Sequence, residues 1–373
     1  MKYLIPVVLG AMSLASAQAA EPDINIGVIL ALTGAYSSAG VAEKEGVLVA
    51  LEELQKTKPL GDRKINLLVE DDASDKAQVI NIMSRFGARK DVSIIVGPSG
   101  SFEGVVAAPI ANDLKVPMLG VSTSSPAVTA AGPWSFKAIA EGTDIIPAVA
   151  YYGADKLGIK KVVTISVRNN DGQVTQKNAA VKAFKERNVE VLAEESVLGT
   201  DTDFQSIVTK IVSLKPDALF VTLVGDQAAN LIIQARQAGL PASTKILGAS
   251  TLGADQFISI GGSAVDGSYF AADYFVGTKT AENKRFVEAY KAKYQRLPDN
   301  WAALGYASLI VAVEAIKEAG PSPDREAIRT ALTKIKNLAV PIGKGVFSID
   351  ADRKAKYEPV VGMIKDGKVV EAP

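Results

Sequence analysis

Two residue types are missing altogether: the 373 residues contain no cysteine and no histidine. Without cysteine there is no disulfide, no thiolate nucleophile and no lipid-modified cysteine behind a leader. Without histidine as well, zinc and copper lose their usual ligands, and Ser-His-Asp and Cys-His catalysis are excluded. An excess of either charge is missing too, since 41 Lys and Arg face 41 Asp and Glu. So balanced a chain offers no electrostatic ground for nucleic acid or an anionic membrane as partner. Gly27, Gly34 and Gly40 do not follow the G-x-G-x-x-G order of a dinucleotide site, and no cofactor is expected. No two carboxylates are marked out by spacing as a glycosidase pair.

Long apolar runs are also lacking. Residues 4–14 are apolar and follow Met1-Lys2, but they are too few to span a bilayer, which takes about 20. Ser16-Ala17-Gln18-Ala19-Ala20 supplies an A-x-A cleavage signal, so residues 1–20 read as a secretory signal peptide, with the mature chain starting at Ala20 or Glu21. Lys2 is the only charged side chain in the leader, and its removal leaves a net charge of −1. An exported chain without disulfides must be held together by burial, and this one is long enough for two domains.

What is present is alternation. Residues 24–30 form a nearly continuous apolar strand, as expected for a parallel strand covered on both faces. A turn-rich loop, 33–40, leads into a helix over 41–54. A strand at 65–69 ends in Glu70-Asp71-Asp72, and a helix over 75–86 follows. Residues 94–126 then read as strand, Gly/Ser turn, helix, strand and a second hydroxyl-rich turn. The pattern predicts a parallel sheet with right-handed crossovers, whose ligand loops lie at the carboxyl ends of the strands. Residues 137–143 break the rhythm, and a second unit of the same pattern runs from 144 to 272 without sequence repetition of the first. Thr202-Asp-Phe-Gln205 reads as a capping box. Long helices over 280–294 and 302–319, a third over 324–334, and strands at 345–349 and 359–364 close the chain, with Asp366-Gly367 as a hairpin signal.

This order of motifs resembles the type I periplasmic solute-binding proteins of ABC transporters, in particular the branched-chain amino acid-binding (leucine/isoleucine/valine-binding protein-like) family. The resemblance is carried by Ile26-Gly27-Val28 with Thr33-Gly34, Asp71-Asp72, Val96-Gly97-Pro98 with Ser101, and Val116-Pro117 with Ser122-Thr123-Ser124. It continues in Thr202–Gln205 with Lys215-Pro216-Asp217-Ala218, Ala235 to Leu240, and Gly305-Tyr306. It implies an α/β fold of two doubly wound parallel-sheet lobes joined by a three-crossing hinge. One lobe would comprise residues 21–140 plus 274–345, the other 141–273 plus 346–373. It implies a periplasmic, monomeric protein that binds a small molecule in the interlobe cleft and passes it to an ABC permease in the inner membrane. A ligand-sensing subunit for a receptor, or an exported carboxylate-dependent hydrolase, are the alternatives.

Ser101 stands where a helix begins. Its hydroxyl and the free amides of the first turn, Phe102 included, suit a ligand carboxylate, although a plain N-cap would look the same. Ser122, Thr123 and Ser124 read from composition as a turn before Pro126. By resemblance, Ser122 and Ser124 offer a backbone carbonyl and a hydroxyl to the ligand's amine and carboxylate. The resembling family places an acid for the ligand ammonium where this chain reads Gly248-Ala249-Ser250-Thr251, an aromatic where it has Ala39 with Tyr36 nearby, and a tyrosine where it reads Asn169 to Gln173. Asp171 or Asp226 could replace the missing anion, or each could be a solvated loop acid or cap. If neither serves, the ligand lacks an amine, as an aliphatic or aromatic carboxylate or an amide would. Trp301 and Tyr306, at or on a late helix, read as core rather than ligand platform.

Overall fold

The structure is a computed structural model, and it describes residues 23–373; the leader assigned to 1–20 lies outside the described residues. Strands β1 (Ile24–Leu30), β2 (Ile65–Asp71), β3 (Val92–Val96), β4 (Met118–Gly120) and β5 (Ser135–Lys137) form one parallel sheet in the order β2-β1-β3-β4-β5. Strands β6 (Lys161–Val167), β7 (Glu190–Val197), β8 (Ala218–Val221), β9 (Lys245–Gly248) and β10 (Tyr269–Ala272) repeat that order as β7-β6-β8-β9-β10.

Both sheets are covered on both faces, which explains their continuous apolar strands. The period of two is visible in the packing. Ile94 and Val96 enter one core with Val28 and Leu30, while Ile95 enters the other with Ile29 and Met83. Val163, Ile165 and Val167 likewise face away from Val162. The largest apolar cluster runs through both lobes, from Ile26 to Phe184 and Phe220.

The chain returns to the first lobe after β10. Helix Asn300–Glu318 packs against helix Ser37–Thr57 so closely that a Cβ on Gly46 would meet the Ala302 carbonyl oxygen at 1.9 Å, and one on Gly305 would meet that of Glu43 at 2.1 Å. Strands β11 (Leu338–Ala339), β12 (Val346–Ile349) and β13 (Ala355–Lys356) make a separate small sheet. The second sheet regains the chain only at β14 (Val360–Lys365), antiparallel to β10 and followed by β15 (Lys368–Glu371). The segment from 346 to 356 does not join the second sheet; Phe347, Ile349 and Ala355 have their apolar partners in the shared core. The Asp366-Gly367 turn forms as expected, with φ positive at both residues.

The crossings are tied together by one side chain. Tyr357 accepts from the Ala140 amide at 3.0 Å and donates to Asp273 Oδ1 at 2.6 Å, and the Gly343 amide donates to the Asp273 carbonyl at 2.5 Å. Residues 140, 273 and 357 lie on the three passages between the lobes. One expected local device is absent: helix Gln205–Leu214 has Phe204 at its N-cap, and Asp203 rather than Thr202 accepts from its first amide, at 3.0 Å. Thr202 instead gives its carbonyl to Gln234 Nε2 at 2.9 Å, so that motif staples one helix to the next.

Candidate ligand-binding site

The switch in strand order lies between β1 and β3 in one sheet and between β6 and β8 in the other, and the loops leaving these strands face each other. They enclose a cavity of about 40 Å³ lined from the first lobe by Tyr36, Gly100, Ser101, Phe102, Ser122, Ser124 and Trp301, with Ile139 at the crossing. Asn170, Gly172, Gln173, Gln176, Ser250 and Thr251 line it from the second. Small-molecule pockets usually measure about 300–1,000 Å³, so the lobes are closed on one another. A Cβ on Gly172 would lie 3.1 Å from the Ser101 hydroxyl of the opposite lobe. A smaller space of about 10 Å³ adjoins it toward the hinge, sharing Ser124, Ile139, Gln176 and Ser250 and bordered by Asp273.

The first wall is built on buried bonds. Gly97 has φ +126°, and a Cβ there would meet the Ile29 carbonyl at 2.1 Å, so this turn needs glycine. Gly100, not Ser101, is the N-cap of helix Ser101–Asp113. Its amide donates to Glu103 Oε2 at 2.6 Å, leaving the amides of Ser101 and Phe102 in a first turn without intrahelical acceptors. Ser101 Oγ accepts from the Ser125 amide at 3.1 Å and lies 3.5 Å from Ser124 Oγ.

Ser122 borders the cavity, but its hydroxyl is turned to Glu43 Oε1, leaving its backbone as the part available to a ligand. Glu43 also accepts from Ser99 Oγ at 2.5 Å. Burial pushes the Glu43 carboxyl up to about 8 despite these two donors. Behind it, Asp72 Oδ2 and Glu103 Oε1 are buried with no donor from elsewhere among the described residues. Burial raises both carboxyls, and each is raised further by a neighbouring acid, Glu103 by Asp72 and Asp72 by Asp71.

Tyr36 is placed by the acidic strand end that the sequence marked out. Asp71 accepts from the Leu32 and Thr33 amides and the Thr33 hydroxyl, and Ser74 Oγ accepts from the Tyr36 amide at 3.0 Å. The Tyr36 ring meets Phe102 and Trp301 edge-on, with centroids 6.2 and 6.0 Å away. Burial, reinforced by Glu43 and Glu103, holds its phenol well above the usual range, so it stays a neutral donor.

The second wall rests on helix Asp171–Glu186. Asn170 caps it by accepting from the Gln173 amide at 3.2 Å. Gln173 is 7% exposed, and its Oε1 has no hydrogen-bond partner among the described residues. Thr251 donates to the Leu223 carbonyl at 2.8 Å, fixing the turn that carries Ser250.

Of the residues expected at the site, Tyr36, Ser101, Phe102, Ser122, Ser124, Gln173 and Ser250 line the cavity. Three do not. Thr123 is fully buried in the opposite direction, against Gly104 and Gly120. Asp171 and Asp226 are exposed at the first turns of their helices and do not border the cavity. Trp301 corrects an expectation in the other direction: it lines the cavity, while Tyr306 is core and donates to Glu53 at 2.5 Å. Asn170, Gly172, Gln176 and Thr251 were not singled out, although Asn170 and Gly172 lie in the loop that carried Gln173.

The larger cavity is lined by neutral side chains only, and among the described residues no group of three or more acids, His or Cys could hold a metal. No pair of cavity carboxyls is available for hydrolysis. Two hinged α/β lobes closed over such a cavity define a solute-binding fold.

Comparison with known proteins gives the same class. The chain belongs to the periplasmic binding protein family, which it matches over residues 23–368. It is 27% identical over 348 residues to the Leu/Ile/Val-binding protein BraC3 of Rhizobium johnstonii, covering 91% of each chain. The leucine-binding protein LivK of Thermotoga maritima superposes with a TM-score of 0.86 at 31% identity, covering 94% of this chain and 98% of that one. A solute-binding protein of Rhodopseudomonas palustris in complex with 3,4-dihydroxybenzoic acid superposes at 0.80 with 25% identity, covering 94% and 95%. These relatives are solute-binding proteins, not enzymes, and the chain is a substrate-binding protein of the ABC-transporter kind.

Proposed function

We propose that this chain works in the periplasm, captures a small carboxylate-bearing solute between its lobes, and delivers it as a monomer to an ABC permease in the inner membrane. The observation that carries this reading is the first turn of helix Ser101–Asp113. It brings the Ser101 and Phe102 amides and two serine hydroxyls to the small interlobe cavity. A helix N-terminus and its free N–H groups stabilise an anion without any formal positive charge. Tyr36, Phe102, Trp301 and Ile139 offer apolar surface for the rest of the solute.

No bond is made or broken. The work is differential affinity for the closed state, since the solute touches both walls only when they meet. The test is thermal denaturation against a panel of small carboxylates and their neutral amides. A ligand at 100 times its Kd adds about 2.7 kcal/mol to the native state. At least one carboxylate should raise Tm by several degrees with its amide silent. An amide that stabilises as well as its acid would contradict the anion site.

A further inference from the structure

We propose that the solute carried by this chain bears a carboxylate and no ammonium group. The inference rests on the solute-binding reading above and narrows its chemistry. Its ground is the electrostatics of the closed cavity. Helices Ser101–Asp113 and Asp171–Glu186 both begin there, and Gly172 of one lies against Ser101 of the other. Each brings the positive end of its dipole and first-turn amides without intrahelical acceptors. Gln173, more than nine-tenths buried and lining the same cavity, holds an amide whose Oε1 has no partner among the described residues. That amide offers its oxygen as placed, or its N–H groups after a half-turn, and carries no charge in either setting.

An α-amino acid would bring its ammonium into this field, one carbon from the carboxylate. A buried ammonium needs a full opposite charge, or it pays several kcal/mol for lost hydration. Asp171 and Asp226 are both outside the cavity. Ser250 and Thr251 supply no charge. Glu43 and Glu103 lie behind the first wall, and Glu43 is occupied by Ser99 and Ser122. Asp273 borders only the adjoining 10 Å³ space. Its Oδ1 accepts from Tyr357 at 2.6 Å and its Oδ2 faces the Asn300 amide at 3.5 Å, so it serves the hinge. A carboxylate attached to an apolar body meets none of these costs and uses the aromatic wall.

The experiment titrates the mature protein, following tryptophan fluorescence and heat, with matched acids that differ only in the amine. The pairs are propanoate and alanine, 4-methylpentanoate and leucine, and 3-phenylpropanoate and phenylalanine. In the best-binding pair the amine-free acid should have a Kd at least tenfold lower. Ser250→Glu should narrow or invert that ratio by adding the missing charge, and Asp273→Asn should leave it unchanged. An amino acid that binds as tightly as its amine-free partner overturns the inference while leaving the solute-binding reading intact. So does a ratio that widens in Asp273→Asn, because Asp273 would then have been serving an ammonium. Binding of neutral amides but of no carboxylate overturns both.

Discussion

The two walls of the cleft are made differently. The first-lobe wall is prearranged: Ser99, Ser122 and Ser101 are each tied to a buried partner, and Tyr36 to the half-buried Ser74, by a hydrogen bond that needs no ligand. The second-lobe wall is amide-rich, and Gln173, its most buried side chain, still holds an unpartnered oxygen. The first wall can therefore bind a carboxylate by itself, at no cost in reordering its donors. The second is completed by the solute, which makes closure depend on what the first wall holds. That division lets a hinged protein signal occupancy.

Substitutions on each wall sharpen the contrast. Ser101→Ala should have the largest effect. It removes a hydroxyl from the anion site and a buried acceptor from the Ser125 amide, a loss of about 1.5–3 kcal/mol for a bond to a charged group. Carboxylate Kd, measured calorimetrically, should rise about 10- to 100-fold. Gly172→Ala acts on closure instead. Its Cβ would sit 3.1 Å from Ser101 Oγ, so the lobes must stay a few tenths of an ångström apart. Affinity should fall about tenfold, the low end of an overpacking cost of about 1–3 kcal/mol, with the ligand-free Tm unchanged. A matching loss of ligand-free stability would mean that Gly172 is a folding residue rather than a closure residue.

Gln173→Leu should cost less, about 0.5–1.5 kcal/mol, and raise the ligand off-rate more than it lowers the on-rate. An equal effect on both rates would erase the distinction between capturing and closing walls. A last contrast is a pH response confined to the first wall. Folded Glu43 keeps its proton up to about pH 8, whereas an ordinary glutamate loses it near 4.5. Between these values the unfolded chain binds fewer protons, so stability falls as pH rises through that window and then levels off. Glu43→Gln should flatten that part of the Tm profile.

The same asymmetry governs how much could be read from the chain. The first wall comes from loops immediately after β1, β3 and β4, so its residues follow strands that were plain in the apolar pattern. Ser101 was found that way, whereas Ser124 and Tyr36 were singled out by the resemblance to the solute-binding family. Trp301 was not, because it sits at the start of a helix whose body is core, and only the return of the chain through the hinge brings it beside Tyr36. On the second wall the search for a countercharge led to Asp171 and Asp226, since acids in loops are conspicuous. Their neighbours Asn170, Gly172 and Gln173 face the cleft instead, because the first turn of the helix points its acid outward to solvent. Thr123 shows the converse limit. Within Ser122-Thr123-Ser124 alternate side chains point opposite ways, which sends the threonine methyl into the space that Gly104 and Gly120 leave open.

The most direct measurement is mass spectrometry of the small molecule released on denaturing protein purified without added ligand, because a closed cleft retains its solute. The account predicts a compact carboxylic acid, released in near-stoichiometric amount from the native chain and much depleted from Ser101→Ala. A stoichiometric solute without any carboxylate would contradict it.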